Sequence, residues 1–376
     1  MTITKHSPGL PLIGLLIHSL FFPLQAQEVT LLFAGDAMQH QSQIDHAFRN
    51  GQYDYSSYFQ YLKEEITSAD LAIVNLEATL AGEPYKGYPR FSAPDEYARA
   101  LKEAGFDIFL NANNHIVDRG NAGVLRTLSA LDSMTILHTG VFGSIMEKEQ
   151  NYPLIVEKEG IRFAFLNYTY GTNGFYASPP VIVNYIQKDS IRKDIQKAKA
   201  LGADVIIANM HWGLEYKMIQ NKTQENLAEF MMEEGVDLVV GAHPHVVQPS
   251  KVVTDSLGNI KRVIVYSLGN LVSGMIAPNT EGGQLVKATF RKIRDKVRIQ
   301  SAEYALIYRH KAKKGKKIDF TVVPVALAEK NDSLPDKTII PLDAADYRKM
   351  KTFSGNARAV LLKHNKGVSE YKPCKK

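Results

Sequence analysis

The sequence predicts an α/β fold in which sheet strands alternate with helices and a C-terminal β/α elaboration follows. Three observations carry this. Short apolar runs alternate with amphipathic segments of helical period through the first two thirds of the chain. The later stretch Gln284–Val325 alternates in hydrophobicity with no helix between its runs, as antiparallel strands do. Most of the early apolar runs end in Asn, Asp, Glu, His or Gly, the residues that collect where the strands of such a sheet deliver their functional groups.

The expected strands are Val29–Ala34, Leu71–Val74, Asp107–Leu110, Arg162–Leu166, Asp204–Ala208, Asp237–Val240 and Arg262–Tyr266. Helical period fits Ser57–Ile66, Asp95–Ala104, Gly123–Leu131, Ile191–Leu201 and Thr223–Glu234. Pro94-Asp95 opens a helix, and Gly105, Gly202 and Gly235 stand where C-caps belong. After Pro335 one or two terminal helices are expected around Ala344–Lys351 and Asn356–His364. The chain thus divides into residues 1–26, a main domain over 27–275, added strands over 276–330 and a helical tail over 331–376.

The 376 residues are 45% hydrophobic and 22% charged, enough apolar material for a large core. Lys5, the apolar stretch Leu10–Leu24 and Ala26 before Gln27-Glu28 form the pattern of a signal peptide cleaved after Ala26. The stretch contains Pro11, His18 and Pro23 and is shorter than the ~20 apolar residues of a spanning helix. The expected location is therefore the periplasm or cell envelope. The alternative is a membrane anchor made by the uncleaved segment. Cys374 is the single cysteine, so no internal disulfide forms, and any metal must be held by His, Asn and carboxylates.

The net charge of +6 is uneven: Lys287–Lys317 holds twelve Lys/Arg against Asp295 and Glu303. Such a lobe suits an anionic partner, a polymer or a membrane surface of phosphate headgroups. The plainer reading is a solvated hairpin turning at Lys313–Lys317, within the Lys311–Lys317 cluster and between the alternating runs Glu303–Arg309 and Ile318–Val325. No nucleic-acid motif accompanies the charge, so nucleic acid is not an expected partner.

The chemistry sits behind the strands. In order these ends read Gly35-Asp36, Asn75-Leu76-Glu77, Asn111-Ala112-Asn113-Asn114-His115, Asn209-Met210-His211-Trp212-Gly213 with Glu215 beyond, Gly241-Ala242-His243-Pro244-His245, and Ser267-Leu268-Gly269-Asn270. Carboxylates, imidazoles and amide oxygens gathered in one crevice suit one or two divalent transition ions, Mn, Fe or Zn. In His243-Pro244-His245 an extended backbone would aim both imidazoles to one side, and Asn75 and Glu77 share that spacing. Taken singly, each residue has a duller reading as a turn or a hydrogen-bonded structural group. His40 and His46 are expected at the surface, His138 in a structural role, and Trp212 packed over the site's edge or stacking on substrate.

These motifs, with Asn113-Asn114-His115-x-x-Asp118-x-Gly120, His211-Trp212-Gly213-x-Glu215-Tyr216 and His243-Pro244-His245-Val246-x-Gln248, resemble in order the signatures of the CapA (PGA_cap) capsule-synthesis family, over Val29–Ser273. The resemblance implies kinship with calcineurin-like metallophosphoesterases and a four-layer α/β/β/α sandwich completed by the added strands. It implies Asp36, Glu77, Asn114, His211, His243 and His245 as metal ligands and His115 as an acid that is not a ligand. Met38 stands where the phosphoesterases place a His and Glu77 where they place an Asp, which leaves the ion count at one or two.

The chemistry expected is hydrolysis by metal-activated water, with His115 protonating the leaving group and Asp118, three residues on, orienting that imidazole. Asn75, Glu215 and Asn270 are expected to orient ligating histidines or meet substrate. The resemblance implies poly-γ-glutamate or another envelope polymer as substrate, and the phosphoesterase kinship a phosphoester. The second class of reading is a non-catalytic polymer export or tethering factor with a structural metal. A Ser-His-Asp hydrolase is disfavoured, since no Gly-x-Ser-x-Gly elbow occurs.

Overall fold

A computed structural model describes residues 27–314, 317–330, 340 and 342–373. The expected export segment, Cys374 and part of the Lys311–Lys317 cluster lie outside the described residues.

Two sheets face one another. The first runs in the order Lys317–Pro324, Lys296–Lys314, Gly282–Ile293, Gln27–Ala37, Leu71–Leu76, Ile108–Leu110 and Leu137–Thr139, with Asn270–Val272 added beside the end of Gln27–Ala37. From Gln27–Ala37 to Leu137–Thr139 it is parallel, while Gly282–Ile293, Lys296–Lys314 and Lys317–Pro324 pair antiparallel and Ser369–Glu370 adds in parallel to Lys296–Lys314. The second sheet runs Ser250–Thr254, Ile260–Val265, Leu238–Ala242, Val205–His211, Ile161–Thr169 and Leu154–Lys158. Its four inner strands are parallel and its two edges antiparallel.

The pleat explains the layers. On Gln27–Ala37, Leu31 and Phe33 point to the second sheet, while Leu32 and Ala34 point to the helices outside. Both faces are buried, which is why these strands read as continuous apolar runs. Helix Asp95–Ala104 buries Tyr97, Ala98, Leu101 and Ala104 on the first sheet's outer face and stops at Gly105, whose φ is +112°. Lys188–Ala200 and Lys222–Glu234 cover the second sheet, the latter opened by an Asn221/Gln224 capping box. Between the sheets Phe163 meets Phe290 edge to face, ring centroids 5.2 Å apart. The result is an α/β/β/α sandwich.

Several expectations are corrected. The periodic stretch Ser57–Ile66 is helical only over Lys63–Thr67; Tyr58, Phe59 and Leu62 are apolar because the preceding turns are buried. Of the one or two terminal helices expected there is one, Ala344–His364, capped by the Asp343 carboxylate accepting from the Ala345 and Asp346 N–H groups. Leu137–Thr139, Leu154–Lys158 and Ser250–Thr254 are strands beyond those expected. His46 is not a surface residue: it is buried, 3.1 Å from Asp319. His40 is half-buried and accepts the Gly274 N–H at Nδ1 (3.1 Å).

Candidate metal centre

All the parallel strands run the same way in each sheet, so their carboxyl ends open on one crevice between the sheets. The first sheet delivers Asp36, Asn75, Glu77 and Asn114, and the second delivers His211, His243 and His245. Gly35 makes this approach feasible, because a Cβ there would lie 1.9 Å from the Gly269 carbonyl oxygen. Without a side chain, the Asp36 N–H donates to that same oxygen at 3.0 Å.

Asp36, Glu77, Asn114, His211, His243 and His245 are all buried and lie together. Ligand atoms of Asp36, Glu77 and His211 fall within 4.8 Å of one another, and so do those of Glu77, His243 and His245. Glu77 is common to both groups. Asn114 Oδ1 lies 2.9 Å from His211 Nε2, while its amide NH₂ donates to Asn173 Oδ1 at 3.2 Å, which fixes the oxygen inward.

The His-Pro-His segment does not converge through an extended backbone as expected. His243 and His245 hold φ of +96° and +58°, positive values that only a few per cent of non-glycine residues adopt. Strain of this kind costs of order 1–3 kcal/mol per residue and marks sites where geometry is imposed from around. Here the His243 N–H donates to Asp36 Oδ2 (3.2 Å) and the Tyr216 N–H to the Pro244 carbonyl (2.8 Å).

The donor set suits a divalent cation. Both carboxylate oxygens of Glu77 and Nδ1 of His243 are buried with no hydrogen-bond partner. The nearest imidazole nitrogens, His211 Nε2 and His245 Nε2, stand 3.6 and 3.7 Å from Glu77 Oε1. Burial, then the neighbouring Asp36, pushes the Glu77 carboxyl well above its ordinary range. A cation removes that penalty. Burial and the neighbouring imidazoles hold His211 well below its usual value and His243 at about 3, so both are neutral, as ligands must be. Asp36 stays ionised despite burial, because His245, Asn75 and the His243 N–H all stabilise its charge.

Around this cage the supporting residues separate by role. The Asn75 NH₂ donates to Asp36 Oδ1 (2.7 Å) and lies 3.3 Å from His211 Nδ1, orienting both. Asn270 Oδ1 is 3.1 Å from His245 Nδ1. Glu215 orients no imidazole: it is exposed at the mouth, where its charge helps raise the Tyr216 phenol to about 12 after burial. Trp212 is buried, donates to the Tyr266 carbonyl and stacks on Tyr266, so it is packing and not a substrate platform. His115 Nδ1 and Asp118 Oδ2 are 2.9 Å apart, and Asp118 Oδ2 also accepts the Phe91 N–H at 2.7 Å.

Sequence reasoning missed Tyr170 and Asn173. Tyr170 lies over His243 at 4.5 Å between ring centroids and nearly parallel to His211. Asn173 Oδ1 accepts the Asn114 NH₂, and its own NH₂ stands 3.5 Å from His115 Nδ1. Both follow Ile161–Thr169, a strand whose polar end was not weighed with the others; the same rule would have found them.

A buried acid–imidazole–amide cage at the strand ends of a double-sheet sandwich defines the class: a fold built around a candidate divalent-metal centre. The chain belongs to the family described as bacterial capsule synthesis protein PGA_cap, which it matches over residues 30–275. It is 30% identical over 279 residues to the capsule biosynthesis protein CapA of Bacillus anthracis, a match covering 70% of this chain and 64% of that protein. It is 28% identical over 298 residues to the PGA biosynthesis protein CapA of Bacillus subtilis strain 168, covering 76% and 70% respectively. The chain thus spans just under two thirds of the first relative's length. Among solved structures it is similar to the calcineurin-like phosphoesterase YfkN from Bacillus subtilis, with a TM-score of 0.43 and 13% identity over 88% of this chain and 98% of that one.

Proposed function

We propose that this protein is an exported metal-dependent hydrolase of the cell envelope, acting on poly-γ-glutamate or another anionic polymer or phosphoester. The observation that carries the reading is the orphaned Glu77 carboxylate within the imidazole cage, next to the His115–Asp118 pair. Asp36, Glu77, Asn114, His211, His243 and His245 would hold one or two ions of the Mn, Fe or Zn kind. Such an ion supplies Lewis acidity toward a substrate oxyanion and acidifies water.

The chain's own residues do the rest. Asp118 holds His115 at Nδ1 and so leaves Nε2 to give a proton to the leaving group. Arg90 anchors its Nε on the Asp118 carbonyl (2.7 Å) and lays its guanidinium over Phe175 at 4.9 Å. This exposed cation beside the proposed acid is placed to meet an anionic substrate on the leaving-group side.

His243→Ala should lower bound Mn, Fe or Zn while leaving the fold intact, read by metal analysis and circular dichroism. His115→Ala should keep the metal and lose ~10²–10⁴-fold in turnover, and Asp118→Asn should lose less and shift the pH profile. Wild-type turnover by His115→Ala would refute the acid assignment. The relatives' names speak of biosynthesis, which favours a second reading: a non-catalytic polymer export or tethering factor. Metal-loaded protein that cleaves nothing in a broad phosphoester and γ-glutamyl screen would select it.

A further inference from the structure

The metal centre occupies one pole of the sandwich, and the opposite pole carries a different surface. Gln27 pairs with Lys292, whereas Asp36 lies at the other end of the same strand, roughly 30 Å away at ~3.3 Å per residue. The hairpin of Gly282–Ile293 and Lys296–Lys314 therefore turns, at Arg294-Asp295, on the pole remote from the site. The hairpin of Ser250–Thr254 and Ile260–Val265 turns there too, since Ile260–Val265 runs parallel to Leu238–Ala242, which leads to His243. A shared cavity lined by Asn259, Arg262, Val297 and Arg298 shows the two hairpins to be neighbours.

Each tip exposes one aliphatic side chain, Leu257 at 86% and Ile293 at 51%. Around Ile293, Arg291, Arg294, Lys296 and Arg298 are all exposed and make no ion pair among the described residues. The carboxylates of this pole that do pair are taken by other cations: Asp204 by Lys292, Asp237 by Arg262, Asp255 by Lys261 and Glu157 by Arg162. Asp295, Glu28 and Glu159 are the exposed carboxylates beside the patch, and none forms an ion pair among the described residues.

The geometry points to this pole as a docking surface for an anionic lipid bilayer, holding the metal centre turned away from the membrane. Unpaired cations around protruding aliphatic tips match the headgroup–acyl boundary, where the cations meet phosphate and the tips enter apolar material. A soluble anionic polymer would satisfy the cations but offer Leu257 and Ile293 nothing. Held here, it would also lie at the wrong end of the strands for the site. The inference does not depend on the hydrolase reading.

The test is done on the full chain carrying Cys374→Ser, with an environment-sensitive dye on Ile293→Cys or, at the site's rim, on Leu214→Cys. The probes are vesicles of phosphatidylcholine with phosphatidylglycerol, vesicles of phosphatidylcholine alone, and soluble poly-γ-glutamate. A blue shift at position 293 alone, confined to the anionic vesicles and reversed by salt, is expected. Replacing Arg291, Arg294, Lys296 and Arg298 by Gln should weaken it by roughly fivefold per cation removed. Equal response at both positions, no response on anionic vesicles, or a shift given by poly-γ-glutamate but not by lipid would overturn the proposal. Because residues 1–26 are shared by every variant, loss of the shift at position 293 when Arg291, Arg294, Lys296 and Arg298 become Gln separates the patch from any anchoring by that segment.

Discussion

At the residue scale, Asn75 illustrates how a side chain that need touch no ion can orient the groups of a candidate metal centre. Its NH₂ is committed to Asp36 and faces His211, so it fixes two proposed ligands contributed by different sheets. Removing such a support usually costs 10–100-fold in metal affinity. Asn75→Ala should show that loss in a chelator competition while keeping its unfolding midpoint without metal within a few °C of wild type. Asn75 was legible because it shares a strand end with Glu77. Glu215 was legible as a polar strand-end residue, but the sequence left its two expected roles undivided, because it does not show that the chain after Gly213 swings outward into solvent.

At the scale of elements, the loop after Asn270–Val272 is held by three basic side chains. Gly274 N–H donates to His40, Lys311 Nζ donates to the Gly274 carbonyl (3.2 Å), and Arg309 donates to the Met275 carbonyl (3.2 Å). Burial first, then the neighbouring His245 and His115 imidazoles and the Lys311 and Arg309 cations, lowers the His40 pKa to about 3. In the unfolded chain it titrates near 6.5. The folded state therefore binds fewer protons between these values, and stability falls as pH drops from 6.5 toward about 3. His40→Gln should flatten the fall of the urea midpoint in that window, by at most ~1.4 kcal/mol per pH unit. A slope identical to wild type would show that His40 is neutral in both states or charged in both. The sequence placed His40 near the first strand's end but could not show that residues more than 230 positions later would bury it.

At the scale of the whole molecule, the two sheets form one unit. Phe163 of the second sheet and Phe290 of the first belong to a single buried cluster that also takes in Met350, Phe353 and Leu361 of the terminal helix. Phe163→Ala and Phe290→Ala should each cost ~3–5 kcal/mol, and the double variant less than the sum because the rings touch. Fluorescence and far-ultraviolet circular dichroism should trace one coincident denaturant transition for each variant. Two separated transitions would mean that the sheets unfold independently.

What the sequence determined was local. Apolar runs buried on both faces announced the central strands, Gly105 and Gly235 announced helix ends, and the polar strand ends named every member of the cage. Those signals are legible because burial and backbone conformation constrain residue type directly. The tertiary structure decided what depends on distant partners. Only the sandwich shows that Glu77 belongs to both ligand groups, that His243 and His245 converge through left-handed backbone, and that Tyr170 and Asn173 close over the cage. Only it places the Arg294-Asp295 turn at the pole remote from the site and Lys311 at the site end, on the Gly274 carbonyl. The physical reason is the same in each case: a contact between strands far apart in sequence is fixed by how two sheets pack, and packing leaves no mark at either residue alone.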